Sequence, residues 1–286
     1  MNMMNTLFGL FGGLALFLFG MEMMSDSLQK AAGERMRYIL GLLTKNPVMG
    51  VLAGAITTAV LQSSSATTVM VIGFVSAGLM NLPQAISIIL GANIGTTITA
   101  QIIAFKISDY IYPIVFIGFL IAFVAKKEVL KNVGNTLLGF GILFIGIETM
   151  GSTMEPLASS PVFVDAIGKV ADIPILGLLL GTVMTVVVQS SSAVIAVLQN
   201  FAAQAAPDGV SSILGLQGAI PILLGSNIGT TITALLACIG QPRDAKRTAM
   251  AHSVFNITGS LVFMFFIPWF AKFVEWISPS GLEVNI

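Results

Sequence analysis

Long apolar runs, two of them broken by the same short polar cluster, set the pattern of this chain. Stretches long enough, or nearly so, to cross a hydrocarbon core of ~30 Å lie at about 6 to 24, 83 to 105, 110 to 125, 135 to 152, 212 to 239 and 249 to 271. These predict six spanning helices. Two further apolar stretches, about 47 to 80 and 174 to 206, are too long for one crossing. Each carries a polar cluster near its middle, Gln62-Ser63-Ser64-Ser65 in the first and Gln189-Ser190-Ser191-Ser192 in the second. Each therefore reads as a re-entrant hairpin of two half-helices meeting at a polar tip. Pro47 and Pro174 suit the first turn of such half-helices, where a missing N–H costs nothing. A helix from Pro47 to Gln62 rises about 24 Å, which places the tip deep in the membrane, where protein, ligand or trapped water has to satisfy the broken backbone.

Internal repetition is the strongest organisational signal. The segment Gly91 to Ala100 recurs as Gly225 to Ala234 with one difference, Ala92 against Ser226. Gly54, Thr58, Gln62, Ser63, Ser64, Ser65 and Ala66 match Gly181, Thr185, Gln189, Ser190, Ser191, Ser192 and Ala193 without a gap. Upstream, Gly20, Glu22 and Met24 match Gly146, Glu148 and Met150. The chain is a duplication, with a first repeat in 1–131 and a second in 132–286.

Each repeat holds three spans and a hairpin that returns to its own side, an odd number of crossings, so the second copy is expected upside down. With the amino terminus outside, Lys30, Arg35, Arg37, Lys45, Lys126, Lys127, Lys131, Arg243, Lys246 and Arg247 fall on the cytoplasmic side, leaving Lys106, Lys169 and Lys272 outside. The bias survives if each hairpin is read as a single crossing, so length and the central polar clusters, not charge, decide for hairpins. Residues 25 to 46, with basic residues among Leu28, Met36, Ile39, Leu40 and Leu43, read as an amphipathic helix on the inner interface. The expected fold is an all-α polytopic membrane protein of two inverted repeats, each a re-entrant helical hairpin plus three spanning helices.

Composition agrees: 56% of the 286 residues are hydrophobic and 9% charged, where soluble domains carry about 25% charged residues. A formal net charge of zero points to no nucleic acid and no acidic soluble partner. Lone Cys238, in the apolar run Leu235 to Ile239, reads as a small core residue. The run from Thr6 to Met24 has no basic residue before it and no small-residue cleavage site, and is expected to be a retained span.

Inverted repeats with interrupted helices are how secondary transporters place a site near the midplane. Serine hydroxyls donate to an anion's oxygens and offer lone pairs to a hard cation. The half-helix that starts after each cluster adds N–H groups and a positive dipole end. A single serine in a membrane helix usually bonds back to its own turn. Three in a row after Gln, twice, argue for more. In the repeated blocks, Gly91, Gly95, Gly225 and Gly229 allow close backbone approach. Asn93, Thr96, Thr97, Asn227, Thr230 and Thr231 offer oxygens for a bare cation or for support of the serine tips, and small-residue helix packing is an equally open reading. No Lys or Arg lies within either cluster or either block. An anion with one to two negative charges there is under-compensated by helix ends worth about half a charge each, and co-bound cations are the simplest way to close the gap. Neutral oxygens suit sodium better than a proton.

Glu22 and Glu148 lie near predicted interfaces, where a solvated or capping role competes with a functional one. Asp109 beside Lys106 is equally open. His252 and Asn256 share one side of the last span, where His252 reads as a helix-bonding residue before a proton relay.

The doubled QSSS clusters with the doubled G-[AS]-N-I-G-T-T blocks resemble the type II sodium/phosphate cotransporter family over nearly the whole chain. The resemblance implies two inverted hairpins whose tips hold phosphate, with sodium sites close by. It carries phosphate onto Gln62, Ser63, Ser64, Ser65, Gln189, Ser190, Ser191 and Ser192. Sodium falls on Asn93, Thr96, Thr97, Asn227, Thr230 and Thr231, with Ser65 and Ser192. Arg247 to Asn256 also looks like the family's R-x(4)-H-x(2)-F-N segment, which the first-repeat region Phe105 to Ile117 lacks. Bacterial relatives often add a soluble PhoU-like domain, which a chain ending at Ile286 is expected to lack.

The expected function is sodium-coupled transport of inorganic phosphate by alternating access, in the inner membrane of a bacterium. Alternatives are phosphate export and carriage of another small anion. An intramembrane serine hydrolase finds only His252 as a base and no G-x-S-x-G elbow, so no enzyme is expected. A channel would favour charged or carbonyl rings in a symmetric oligomer. Expected partners are phosphate, sodium and the lipid bilayer, with a homodimer admissible and no cofactor beyond the coupling ions.

Overall fold

The structure, a computed structural model, describes residues 3–43, 46–104, 110–158, 161–204 and 212–278. Within them run twelve helices: α1 (Met3–Leu43), α2 (Pro47–Leu61), α3 (Ser64–Ser76), α4 (Leu82–Ala104), α5 (Ile111–Val124), α6 (Glu128–Ala158), α7 (Pro161–Asp172), α8 (Pro174–Val188), α9 (Ser191–Ala203), α10 (Leu216–Ala237), α11 (Arg243–Met264) and α12 (Ile267–Ile277). Four are long and apolar enough to cross a membrane: α1 over Met4–Ala32, α4, α6 over Glu128–Thr153, and α10. The pair α11 and α12 makes a fifth if counted together.

Three expectations need correction. The span at 6 to 24 and the expected interfacial helix, as far as Leu43, are one continuous helix of 41 residues, because nothing between them stops the backbone. Lys45 and the side chains of Arg35, Arg37, Met36, Ile39, Leu40 and Leu43 lie outside the described residues. The stretch at 110 to 125 forms a helix of 14 residues, about 21 Å long and short of a full crossing. The stretch at 249 to 271 is not one straight span, since α11 and α12 meet at 88°. Pro268 explains the stop: its ring lacks an N–H and collides with the carbonyl four residues back, at Met264, the last residue of α11. Asp109 and Lys106 lie outside the described residues.

Two compact units organise the helices: one comprises Met1–Ala15, Gly146–Thr230 and Phe255–Ile286, the other Leu16–Ile145 and Thr231–Val254. In the second, Ala53, Val71, Ile72, Val75, Ile88 and Ile89 form a core with Ala234, Cys238, Ala245 and Ala249, so Cys238 is the small core residue its surroundings suggested. In the first, Val194 and Leu198 pack with Leu214, Ala219 and Ile222.

The same contact recurs within each unit. In one, α2 lies against α4 so closely that a Cβ on Gly91 would overlap the Val51 carbonyl oxygen and one on Gly54 that of Ile88. In the other, α8 lies against α10, with Gly225 on the Leu178 carbonyl and Gly181 on that of Ile222. The helices thus meet backbone to backbone, as small residues permit in membrane proteins. The duplication seen in the sequence is a duplication of packing.

Candidate functional site

Both polar clusters break a helix, and they do so in the same way. Asn46 caps α2, its side chain accepting from the Val48 N–H at 2.9 Å, and Pro47 takes the first turn. Pro174 opens α8 likewise. Fifteen residues later each helix ends on a glutamine in the left-handed conformation, Gln62 at φ 54° and Gln189 at φ 58°. That region costs a side-chain-bearing residue roughly 1 kcal/mol or more, and these two are the positive-φ residues other than glycine among those described. Their amides fold back to donate to their own helices, Gln62 to the Ala59 carbonyl and Gln189 to the Val186 carbonyl at 2.6 Å.

The next residue starts a new helix. Ser63, at φ −149°, accepts from the Ala66 N–H at 3.1 Å, and Ser190, at φ −145°, accepts from the Ala193 N–H at 3.2 Å. One serine of each trio is therefore a helix cap, its hydroxyl oxygen accepting from the first turn of the new helix. Ser64 and Ser65 open α3 and are half-buried, whereas Ser191 and Ser192 open α9 and are buried. The first N–H groups of a helix have no partner within it, so each break concentrates hydroxyls, N–H donors and a dipole end in one turn.

The glycines of the Asn-Thr blocks lie against these arms. Gly95 sits on the Ala55 carbonyl and the Thr58 side chain; Gly229 sits on the Thr182 carbonyl and the Thr185 side chain. Thr182 Oγ1 shares its proton between Leu178 O at 2.8 Å and, across the helix pair, Gly225 O at 3.1 Å. Thr96 donates to Ala92 O at 3.1 Å, Thr97 to Ile94 O at 2.7 Å and Thr230 to Asn227 O at 2.7 Å. These protons are spent on their own helices, so the oxygens have only acceptor capacity left. Asn93 is half-buried, Asn227 exposed and Thr231 buried. Glu22 and Glu148 are exposed on α1 and α6, while His252 and Asn256 are buried on α11.

The residues that sequence reasoning missed are those that brace the breaks. Thr58 Oγ1 donates to Thr67 Oγ1 at 3.0 Å, and Thr67 Oγ1 donates to Ser63 O at 3.1 Å, a chain of hydroxyls that ties α2 to the cap of α3. Ser25 Oγ donates to Leu61 O at 2.9 Å, fastening the last turn of α2 to α1. The second repeat has neither brace. Val194 stands where Thr67 would, leaving the buried Thr185 Oγ1 without a partner, and Gly151 stands where Ser25 would. Gln204 Nε2 instead donates to the Gly151 carbonyl at 3.1 Å, at the far end of α9. A signal existed: Thr58 and Thr185 both precede the glutamine by four residues in the gapless match.

Long apolar helices with duplicated, hydroxyl-rich helix breaks mark a multi-pass membrane protein. More particularly, the description of the Na+/Pi-cotransporter family matches residues 16–152 and again 152–277, and the chain belongs to that family. It is 38% identical to the uncharacterized protein YqeW of Bacillus subtilis, over 93% of this chain and 84% of that protein. It is 26% identical to a protein of Escherichia coli K12 named "Putative inorganic phosphate export protein YjbB", over 99% of this chain and 51% of YjbB. The chain thus spans about half the length of that relative. Sodium-dependent phosphate transport protein 2A of Rattus norvegicus is 38% identical over 32% of this chain and 15% of its own. No solved structure matches.

Proposed function

We propose that this chain carries inorganic phosphate across a bacterial inner membrane together with sodium ions, by alternating access of two inverted repeats whose serine-tipped breaks are re-entrant. The observation that carries the proposal is the paired geometry of the breaks: a left-handed glutamine, then a serine-capped helix start, at Gln62–Ser65 and again at Gln189–Ser192. Strain repeated at equivalent positions is what a binding element retains. Each break offers phosphate oxygens hydroxyl and N–H donors, and neither break nor Asn-Thr block contains a Lys or Arg. The charge of the anion is then balanced by cations held on neutral oxygens. Ser65, Ser192 and the Asn93–Thr97 and Asn227–Thr231 blocks are the sodium ligands in this reading.

Phosphate export is the second reading, favoured by the name of the Escherichia coli relative. One assay separates the cases: labelled phosphate flux in proteoliposomes under imposed sodium, potassium or choline gradients, in both directions. Coupled transport gives accumulation under sodium alone. Equal flux under all three gradients removes sodium from the mechanism.

A further inference from the structure

The short helix at the carboxyl-terminal end of the described residues has surface chemistry that the transport reading does not use. We propose that α12 lies along the bilayer surface as a lipid-docked helix, with one aromatic arc sunk into the boundary between headgroups and acyl chains.

Length comes first. Eleven residues rise about 16 Å, half of the ~30 Å a crossing needs. Direction follows from the 88° bend against α11, a helix of 22 residues, so that if α11 runs along the membrane normal α12 runs in the plane. Depth follows from packing: Ile267 and Ala271 are buried against Ile220, with Leu216, Leu224 and Met264 around them. Leu216 to Leu224 are the first turns of α10, a helix long enough to span, so α12 is pinned at the level where a span ends.

The remaining circumference divides in two. Trp269, Phe273, Trp276 and Ile277 follow one another at helical spacing, with Phe270 beside Phe273, and all five are exposed. The tryptophans are 77% and 80% exposed, and they are the two tryptophans of the chain. Lys272 and Glu275 share the next strip of surface, one turn apart and exposed. A helix with a protein seam, an aromatic arc and a charged strip meets three media at once: the bundle, the acyl boundary and water. Tryptophan favours that boundary, and amphipathic helices with such a face sink about 5–10 Å into it. The position of α12 at the end of a span, with both tryptophans on the outward arc at that level, argues for lipid over a second copy of the chain.

Because both tryptophans lie on α12, selectively excited tryptophan fluorescence reports this helix alone. The test uses Trp269→Phe and Trp276→Phe, each leaving one tryptophan, in vesicles of lipids brominated near the headgroup, at mid-chain or near the chain end. Gel filtration confirms that both variants stay monodisperse. The expected result is strong quenching of both, largest with bromines near the headgroup, at matching depths. Depths differing by about 10 Å, the rise over seven residues, would mean that α12 runs along the normal and would overturn the proposal. Little quenching by any of the lipids would mean that protein covers the arc, and would overturn it as well.

Discussion

The same substitution at two equivalent positions is expected to shift stability in opposite directions. Thr58→Val removes a hydroxyl that donates to Thr67 Oγ1 at 3.0 Å, while Thr67 keeps its own bond to Ser63 O, so the loss is one net hydrogen bond, about 1 kcal/mol. Thr185→Val, four residues before Gln189, removes a buried hydroxyl that has no partner. Relieving such a group gains about 1 kcal/mol or more, since an unsatisfied buried polar atom costs ~1–3 kcal/mol. The gap between the variants is then about 2 kcal/mol, or roughly 4 °C in apparent midpoint at about 2 °C per kcal/mol for a chain of this size. The assay is heating of detergent-solubilised protein followed by the monodisperse fraction on gel filtration. Val194→Thr completes the test by giving Thr185 the partner that Thr58 has, and a double-mutant cycle should return a coupling of about 1 kcal/mol. Shifts of the same sign for Thr58→Val and Thr185→Val, or no coupling in the cycle, would refute the hydroxyl account.

Three further outcomes are expected. Ser64→Ala or Ser191→Ala should lower phosphate flux by roughly ten- to a hundredfold, the loss of one hydrogen bond to a charged group at about 1.5–3 kcal/mol, with the gel-filtration profile retained; undiminished transport in both takes the breaks out of the mechanism. Gly91→Ala places a methyl on the Val51 backbone and should destabilise by about 3 kcal/mol or more, whereas Gly73→Ala, with nothing within 4 Å, should be neutral or stabilising by about 0.5–1 kcal/mol; thermal denaturation of the pair decides. Ser25→Ala leaves the Leu61 carbonyl without its donor and should cost about 1–3 kcal/mol in the same assay, while the other repeat already has glycine at position 151.

The breaks were legible because Gln-Ser-Ser-Ser interrupts runs that are otherwise uniformly apolar, and because Pro47 and Pro174 mark where each helix begins. Repetition made the pattern readable twice. What stayed hidden was set by contacts across a break or by backbone stereochemistry. The Thr58–Thr67 hydroxyl pair spans nine residues through a left-handed turn, so no helical period links them. The division of labour among the serines, with Ser63 and Ser190 capping, depends on where the helix restarts, which composition leaves open. The bend at Phe265 and Phe266 was signalled by Pro268, but an apolar window counts proline as one more lipid-compatible residue. In α1 a change from apolar to charged side chains looked like an end, although polarity alters a helix's surroundings without stopping its hydrogen bonds.

Where helices touch through side chains, rotamer changes let one slide over the other. The Gly54 and Gly91 contact, and its counterpart at Gly181 and Gly225, offers no such lubrication, because main-chain atoms have nowhere to yield. Arm and partner are therefore held as one piece, and any rearrangement of this pair has to bend at their ends.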